Sequence, residues 1–351
     1  MIVHPAFTFG DEEIEGFWTA KFEASMVEEN LSTIANNNVI DKTVRILPNV
    51  DSWKYIQMGN AFKVSLNMKE NNIYRFPNEI DTHLVKNNEW GAVTYLSVSQ
   101  YGKVPAKNTS GVTQEPPSGE NTEEIFYSYT GAGDYIANII QSTTGNITGI
   151  YDMNGGVWEY VAAYWDNGSD SIQEYGTQDI FPNNKLNSKY SKYFDVYEVG
   201  DTEKQEGKEI WDIKSTEGNE KSYQIAKDRV DLMKNVKGDA ISEAMDEWSY
   251  YGRYANAYNS YGVQYGPYEF LAWLRPTIDS DGKIVDIGET TLWNYGVSLY
   301  GNDNILIGTY YFPFLFRGGD NWSGNYTGLF DSSGWYGRAD RGVSFRVVIC
   351  V

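Results

Sequence analysis

The side chains that most often perform chemistry are scarce in this sequence. It contains one cysteine, Cys350, and two histidines, His4 and His83. A single thiol forms neither an internal disulfide nor a thiolate metal cluster, and the apolar run around Cys350 is typical of a buried strand. A Ser-His-Asp triad would need one of the two histidines, and no G-x-S-x-G turn is present. We expect both histidines to be structural or exposed.

Phosphate and nucleic-acid chemistry also lack their usual sequence features. Neither a G-x-x-x-x-G-K-[ST] loop nor a G-x-G-x-x-G fingerprint occurs, and acidic pairs among 48 Asp and Glu residues single out no glycosidase site. The 28 Lys and Arg residues leave a formal net charge of -20. Binding to nucleic acid requires basic residues that neutralise phosphates, so nucleic acid is not expected as a partner. We predict no catalytic residue.

Composition and the first residues suggest where the protein is made. The chain is 41% hydrophobic, enough to bury a large core, and aromatic residues make up 15% of it. No window of about 18 apolar residues predicts a membrane span. The first residues lack the basic and apolar regions of a signal peptide. We therefore expect synthesis in the cytoplasm, no export by that route and no membrane partner.

Apolar periodicity predicts the main elements. The alternation between Phe7 and Ser25 predicts a first strand, and the spacing of Ser52 to Lys69 and of Asp81 to Tyr101 predicts two helices. Ala226 to Trp248 has helical spacing as well. The Asp281-Gly282 dipeptide predicts a hairpin that joins residues 270–274 to residues 283–287.

Polar and tyrosine-rich segments separate these elements. Residues 103–122 are rich in turn formers and predict an exposed loop, and residues 165–221 resemble a polar insertion. Residues 249–270 carry seven tyrosines among Gly, Asn and Ser. Such a composition is typical of a recognition loop, or of an irregular segment whose tyrosines pack on the body. Residues 320–341 have a similar composition and predict a long loop or a display surface.

Several phrases, in this order along the chain, resemble one family. They are Glu15-Gly-Phe-Trp-Thr-Ala-Lys-Phe-Glu-Ala-Ser25, Glu89-Trp-Gly-Ala-Val-Thr-Tyr-Leu96, Gly149-Ile-Tyr-Asp-Met-Asn-Gly-Gly-Val-Trp-Glu-Tyr160, Phe316-Arg-Gly-Gly319 and Ser344-Phe-Arg-Val-Val348. Together they resemble the formylglycine-generating-enzyme, or sulfatase-modifying-factor, branch of the C-type lectin fold. The resemblance implies an α+β fold over a single domain 1–351. Two helices would pack on small antiparallel sheets, with long loops and insertions.

The resemblance also carries chemical expectations. The generating enzyme uses a pair of cysteines with copper, and the related sulfoxide synthases hold iron with three histidines, so this chain lacks the residues for either reaction. The family holds calcium with an Asn and a Glu whose positions here are Gly156 and Glu159. Glu159, with Asn154 as a substitute, is therefore the candidate calcium ligand, and no cofactor is required.

Phage tail-tip and bacterial surface proteins that resemble this branch use the stretch between the closing motifs as a ligand-binding face, and retroelements diversify some of them. Trp, Tyr and Arg dominate binding hot spots, so we predict contacts in this stretch. The predicted ligand contacts are Asn321, Trp322, Tyr326, Trp335, Tyr336 and Arg338. We assign Trp158, Arg317 and Arg346 to the scaffold, with both arginines ion-paired near the core.

These expectations lead to a non-enzymatic binding module of a phage or prophage virion. It would recognise a bacterial cell-surface glycan or protein as a receptor-binding, tail-tip or fibre protein. Its partners would be that receptor, other virion proteins and further copies of the chain. The alternatives are a virion structural or decoration protein that docks to neighbouring subunits, a bacterial surface adhesin, and an enzyme of unrecognised chemistry. The location would be the virion or, for the adhesin, the bacterial cell surface.

Overall fold

A computed structural model describes most of the chain outside residues 200–312. The described residues are 5–10, 12–26, 38–70, 74–97, 99–103, 105–114, 125–166, 168–199, 313–321 and 332–351, with short strands at 213–215, 263–264, 272–274, 277–278, 284–286 and 290–292. The predicted helix 226–248, most of the tyrosine-rich segment 249–270, and Trp322 and Tyr326 lie outside them.

The described residues form an α+β architecture. The α-helices are α1 (Met58–Glu70), α2 (Asn87–Ser97) and α3 (Asp170–Gly176). The strands are β1 (Thr8–Phe9), β2 (Glu12–Glu13), β3 (Phe17–Thr19), β4 (Ser25–Met26), β5 (Val44–Arg45), β6 (Asp81–Leu84), β7 (Gly111–Gln114), β8 (Ile125–Ser128), β9 (Trp158–Asp166), β10 (Asp195–Val199), β11 (Ile213–Ser215), β12 (Val263–Gln264), β13 (Ala272–Leu274), β14 (Thr277–Ile278), β15 (Ile284–Asp286), β16 (Thr290–Leu292), β17 (Phe314–Arg317), β18 (Ser332–Trp335), β19 (Val343–Phe345) and β20 (Val347–Cys350). Short 3-10 helices cover Pro5–Phe7, Thr130–Ala132, Ile139–Gln141, Pro182–Asn184 and Ser188–Tyr193. None of the described helices is long and apolar enough to cross a bilayer.

Strand β9 organises the largest sheet. The strand order is β11-β10-β9-β17-β18, and β19 also pairs with β9. Strands β10 and β19 run parallel to β9, whereas β17 runs antiparallel to it. The middle of β9, from Tyr160 to Tyr164, is fully buried. A continuous buried run of this kind is typical of a strand covered on both faces, so β9 forms the centre of the core.

Residues from the predicted insertion complete this core. The ring of Phe62 on α1 lies 4.8 Å from the ring of Phe194 and 5.4 Å from that of Tyr190, between ring centres. Directly afterwards, β10 adds to the central sheet beside β9. Such aromatic contacts each add about 0.5–1.5 kcal/mol beyond the burial of area. Part of the polar insertion is therefore integral to the fold.

A second sheet, of order β3-β20-β6, holds the cysteine and one histidine. Cys350 is buried in β20 as predicted, and burial raises the pKa of its thiol to about 12. His83 is also buried. Its Nε2 lies 3.0 Å from a carboxylate oxygen of Glu89, and its ring stacks on Phe9 at 5.1 Å. His83 is thus a structural residue, and His4 lies outside the described residues.

Strand pairing overrides several local patterns. The predicted helix 81–101 is wrong at its start, because residues 81–84 form β6 against β20 and α2 begins only at Asn87. Helix α1 begins at Met58 instead of Ser52, since the backbone N–H of Trp53 donates to Ala24 at 2.8 Å. Apolar spacing alone does not register such distant partners.

The other predicted strands and loops also change in detail. The first predicted strand is divided into the short strands β1 to β4. Within the predicted loop 103–122, β7 pairs with β8. In the predicted hairpin, β15 pairs with β14, and β13 pairs instead with β16. In each case the pairing partner is a neighbour in space that the local pattern does not identify.

The close approach of α1 to the end of α3 gives the first prediction. A Cβ on Gly59 would lie 2.5 Å from the carbonyl oxygen of Gly176, so Gly59→Ala must displace backbone. We expect a loss of about 1–3 kcal/mol in the free energy of unfolding, although alanine favours helices. Urea unfolding followed by circular dichroism measures this loss. Gly16→Ala is the control, because nothing lies within 4 Å of its Cβ. Equal stability of both variants would contradict this packing.

Candidate functional site

Three of the predicted contact residues form one cluster at the end of β18. The guanidinium of Arg338 lies 5.1 Å from the ring centre of Trp335 and 5.5 Å from that of Tyr336. The two rings meet edge to face at 5.5 Å. Arg338 is exposed, and both rings are half-buried. The side chains hold one another through cation–π and ring contacts while one side of the cluster faces solvent.

The backbone of this cluster is fixed to the core from one side by β9. The hydroxyl of Tyr160 donates to the carbonyl oxygen of Arg338 at 2.8 Å. Tyr160 is fully buried, and this burial raises the pKa of its hydroxyl well above the ordinary value. The hydroxyl therefore stays protonated as a donor. The position of Arg338 is thus set by the strand at the centre of the sheet.

The residues around α1 fix the same segment from another side. The backbone N–H of Met58 donates to the carbonyl oxygen of Gly337, and that of Tyr55 donates to the carbonyl oxygen of Asp340, both at 2.9 Å. These bonds satisfy main-chain groups that a surface loop usually leaves to water. The segment from Tyr336 to Asp340 is therefore anchored along its length.

Unusual backbone conformations surround the anchored segment. Gly337 has φ +92°, and a Cβ there would lie 2.4 Å from the ring of Phe314. Tyr55 and Thr177 have φ values of 56° and 70°, in a region that bulky and β-branched residues rarely adopt. Such conformations persist where the surrounding packing determines them, and they concentrate at functional sites. Here they show that packing determines the backbone around the anchored segment.

Sequence reasoning missed Tyr175, which borders the cluster. Its Cβ lies 3.1 Å from the position that a Cβ of Gly337 would take. Burial raises the pKa of the Tyr175 hydroxyl, and the exposed carboxylate of Glu174 raises it further. Both residues belong to α3, inside the segment predicted to be a polar insertion. The adjacent Glu174 and Tyr175 were visible in the sequence as a possible polar and aromatic contact. No local pattern, however, indicated that they would lie beside Gly337.

Asn321 is separated from the other predicted contacts. Strands β17 and β18 pair Phe314 with Trp335, whereas Asn321 follows the opposite end of β17 and donates its N–H to Gly156 at 3.0 Å. At about 3.3 Å per residue, the β17 ladder alone separates the two ends by roughly 10 Å. The structure therefore brings Trp335, Tyr336 and Arg338 together, without Asn321.

The predicted scaffold residues are engaged in the core. Arg346 binds Glu159 as a bidentate pair through one edge of its guanidinium, Nε to Oε2 at 2.9 Å and Nη2 to Oε1 at 2.5 Å, and both residues are fully buried. This confirms the predicted ion pair of Arg346. Arg317 is buried and donates from Nε to Asn87 at 2.8 Å. The half-buried Trp158 donates from its indole N–H to Asp320 at 3.0 Å.

A surplus of buried carboxylates surrounds Arg346. Glu23 and Asp152 are buried like Glu159, and all three interact electrostatically with this guanidinium. Burial raises the pKa of Glu159 to about 7 although Arg346 opposes the shift. Burial and the charge of Asp152 raise the pKa of Glu23 well above its ordinary value. One cation cannot balance three anions, so this cluster retains protons near neutral pH.

The same geometry bears on the predicted calcium ligands. Arg346 occupies both oxygens of Glu159, so a calcium ion would compete with a guanidinium for them. The amide of Asn154 donates to Pro105 at 2.8 Å, and its buried oxygen has no hydrogen-bond partner. No group of three acidic, histidine or cysteine side chains suited to a metal occurs in the described parts of the chain. Calcium binding stays a prediction.

Comparison with known proteins identifies no family for this chain. No protein-family model matches the chain, and no curated protein sequence matches it. The fold and the site define an α+β protein with an anchored surface cluster of aromatic residues and arginine. A proposal about its function must therefore rest on these residues and on the resemblance of its sequence motifs.

The carboxylate cluster predicts how stability depends on pH. The folded-state pKa of Glu159, about 7, lies above the ordinary value of 4.5 for a glutamate. The native state therefore binds more protons than the unfolded state between these values, and stability falls as pH rises through this window. We expect the free energy of unfolding to decrease by about 1–3 kcal/mol from pH 5 to pH 8 in urea titrations.

Glu23→Gln tests whether the cluster is the cause. The amide mimics the protonated acid next to Ser52, whose hydroxyl bonds to Glu23. We expect a flatter pH profile for this variant and a gain in stability at pH 8. Glu79→Gln, at an exposed position, is the matched control. A profile that keeps the slope of the parent protein in Glu23→Gln would contradict the proposed proton retention.

The ion pair predicts a weak response to calcium. Because Arg346 already neutralises Glu159, addition of millimolar calcium or of a chelator should shift the melting temperature by less than about 1 °C. Differential scanning fluorimetry of the whole chain measures the shift. Arg346→Met frees the carboxylate and should also destabilise the fold strongly. A large calcium-dependent stabilisation of the parent protein would instead support the calcium site.

Proposed function

We propose that this protein is a non-enzymatic recognition module of the formylglycine-generating-enzyme branch of the C-type lectin fold. It acts as the receptor-binding part of a phage or prophage virion and binds a glycan or a protein on the bacterial cell surface. One observation carries the proposal. The exposed Arg338 stacks on Trp335 and Tyr336, and the backbone of this cluster is bonded to β9 and to the start of α1.

The composition of the cluster suits recognition. Trp, Tyr and Arg are the residues that most often carry binding energy at interfaces. The aromatic rings offer flat apolar area to a sugar or a side chain, and the guanidinium of Arg338 offers directional donors for hydroxyl or carboxylate groups. Because the segment is already ordered, binding costs less conformational entropy than it would with a loop that must fold.

The arrangement of the sequence motifs supports the proposed fold type. The segments that carry the resemblance lie far apart in the sequence and side by side in the structure, since β19 pairs with β9. Arg346 of the closing motif binds Glu159 of the central motif. Two of the α-helices, α1 and α2, precede the central motif, in the order that the resemblance implies.

A structural role in the virion is the second candidate. It is favoured by large apolar side chains that remain exposed between residues 136 and 147, such as Ile136 and Ile140, at 63% and 58% exposure. Exposed apolar surfaces of this kind often mark interfaces with other proteins. In that case the cluster around Arg338 would be buried between subunits. In the receptor-binding case the cluster would remain free at the outer end of the virion.

Binding to whole bacterial cells tests the proposal. The purified, fluorescently labelled chain is incubated with a panel of bacterial strains, with and without a chelator. We expect saturable binding to some strains, reduced at least tenfold in a variant with Trp335→Ala, Tyr336→Ala and Arg338→Ala, because hot-spot truncation costs more than about 1.4 kcal/mol. Chelator should leave the binding unchanged if the cluster binds without calcium.

A matched control tests whether the loss of any exposed tyrosine and arginine reduces binding. Tyr74→Ala with Arg75→Ala removes an exposed tyrosine and arginine from another surface. This variant should bind as the parent protein does, and circular dichroism should show that all the variants are folded. Unchanged binding in the cluster variant would refute the proposed face. Absence of binding to every strain would favour the structural role.

A further inference from the structure

One surface of the described structure carries an unusual number of exposed apolar side chains. It lies on the end of α2, on the turn that follows this helix, and on residues 136–147. Its members are Leu96, Tyr101, Ile136, Ile139, Ile140 and Ile147, which we call the isoleucine surface; Tyr101 is 76% exposed and Ile136 is 63% exposed. Single exposed apolar residues are ordinary, but a group of this size is typical of an interaction surface.

Main-chain bonds join the two parts of the isoleucine surface. The N–H of Ala106 donates to the carbonyl oxygen of Ile140 at 2.8 Å, and the N–H of Lys103 donates to that of Thr143 at 2.7 Å. The turn after α2 closes on Leu96, whose carbonyl oxygen accepts from the hydroxyl of Ser99 at 2.7 Å. The exposed side chains therefore lie on one connected part of the molecule.

The charge of this surface differs from that of the whole chain. Between residues 96 and 107 and between residues 134 and 148 the charged residues are Lys103, Lys107 and Asp134, a small positive excess in a chain of net charge -20. Lys21 lies at its border, where its ammonium donates to the carbonyl oxygen of Ile147 and lies 4.4 Å from the ring centre of Tyr135. A complementary partner would present acidic residues beside an apolar group.

The chain itself has such a surface. Strand β3 is at the edge of its three-stranded sheet, and Trp18 on this strand is 63% exposed. Glu12, Glu13 and Glu15 precede it and are exposed. We call these four residues the glutamate edge. Only two residues separate Trp18 from Lys21, which lies at the border of the isoleucine surface.

We propose that the isoleucine surface binds the glutamate edge of a second copy of this chain. Trp18 of one copy packs among the isoleucines of the other, and the three glutamates face the lysines. Because each copy carries both surfaces, a two-fold contact uses both twice. The contact removes apolar side chains from water and places unlike charges together. Copies that meet in other orientations repel each other, because the rest of the surface is acidic.

Light scattering coupled to size-exclusion chromatography tests this contact on the full chain over a concentration series. We expect a concentration-dependent increase in mass above that of the monomer. Ile136→Asp with Ile140→Asp, or Trp18→Ala, should raise the dissociation constant at least tenfold. Ile40→Asp is the matched control, because Ile40 is 44% exposed near Asn38, which bonds to Asn60 on α1, and its replacement should leave association unchanged.

Charge reversal tests the pairing of the two surfaces. Lys103→Glu alone should weaken association, as should Glu12→Lys with Glu13→Lys. A mixture of these two variants should associate more strongly than either alone, since both contacts of the mixed dimer join unlike charges, one as in the parent protein and one with its charges reversed. A monomer at all concentrations, or association that none of these variants changes, would overturn the proposal.

Anionic vesicles distinguish the main competing occupant. Vesicles that contain phosphatidylserine are added to the parent protein and to the Ile136→Asp, Ile140→Asp variant. A monomeric parent protein that binds the vesicles, with loss of binding in the variant, would show that a lipid surface covers the isoleucines and would overturn the proposal. Self-association without vesicle binding would support it. The cell-binding test of the Arg338 cluster is independent of either result.

Discussion

The buried ion pair between Arg346 and Glu159 is the interaction on which the rest of the described structure depends. Besides both oxygens of the carboxylate, the guanidinium binds the carbonyl oxygens of Ala20 and Tyr151, at 2.7 Å and 3.0 Å. It thus joins the residue that follows β3, the segment before β9 and β9 itself to the link between β19 and β20. Removal of one partner from such a pair leaves a buried charge without compensation, which costs about 3–5 kcal/mol. The fold therefore requires both ends of the chain together.

The order of the surface cluster around Arg338 depends on this ion pair through β9. Strand β9 continues from Glu159 to Tyr160, whose hydroxyl fixes the backbone of Arg338. Helix α1 adds the bond from Met58 to Gly337. A site placed on rigid elements keeps its geometry better than one on a free loop, because fewer rotations remain to be fixed. The buried ion pair and the exposed aromatic residues are therefore connected through the same strand.

Local sequence patterns predicted the features that depend on local contacts. The spacing of apolar residues identified most of α1 and α2, and the terminal apolar run identified the buried Cys350. The strands β6 and β10 were missed because their partners are distant in the sequence, and pairing in space overrides local spacing. Strand β7 was missed because it lies in a run rich in turn formers, although it pairs with the next strand, β8. The same holds for Glu159. A glutamate in this position could bind calcium or pair with an arginine. Only the register of β9 against β19, which pairs Glu159 with Ser344, shows that Arg346 is its partner. Tyr175 was missed for the same reason.

The anchoring bonds of the Arg338 segment have a consequence for change in the protein. They use the carbonyl oxygens of Gly337, Arg338 and Asp340, which are present whatever side chains those positions carry. Residues 336 and 338 can therefore be replaced without loss of these bonds, whereas residue 337 is confined to glycine by its φ and by the ring of Phe314. Surface chemistry and backbone shape are thus inherited separately. The side chains at positions 336 and 338 can thus change by substitution while the backbone of the segment stays the same.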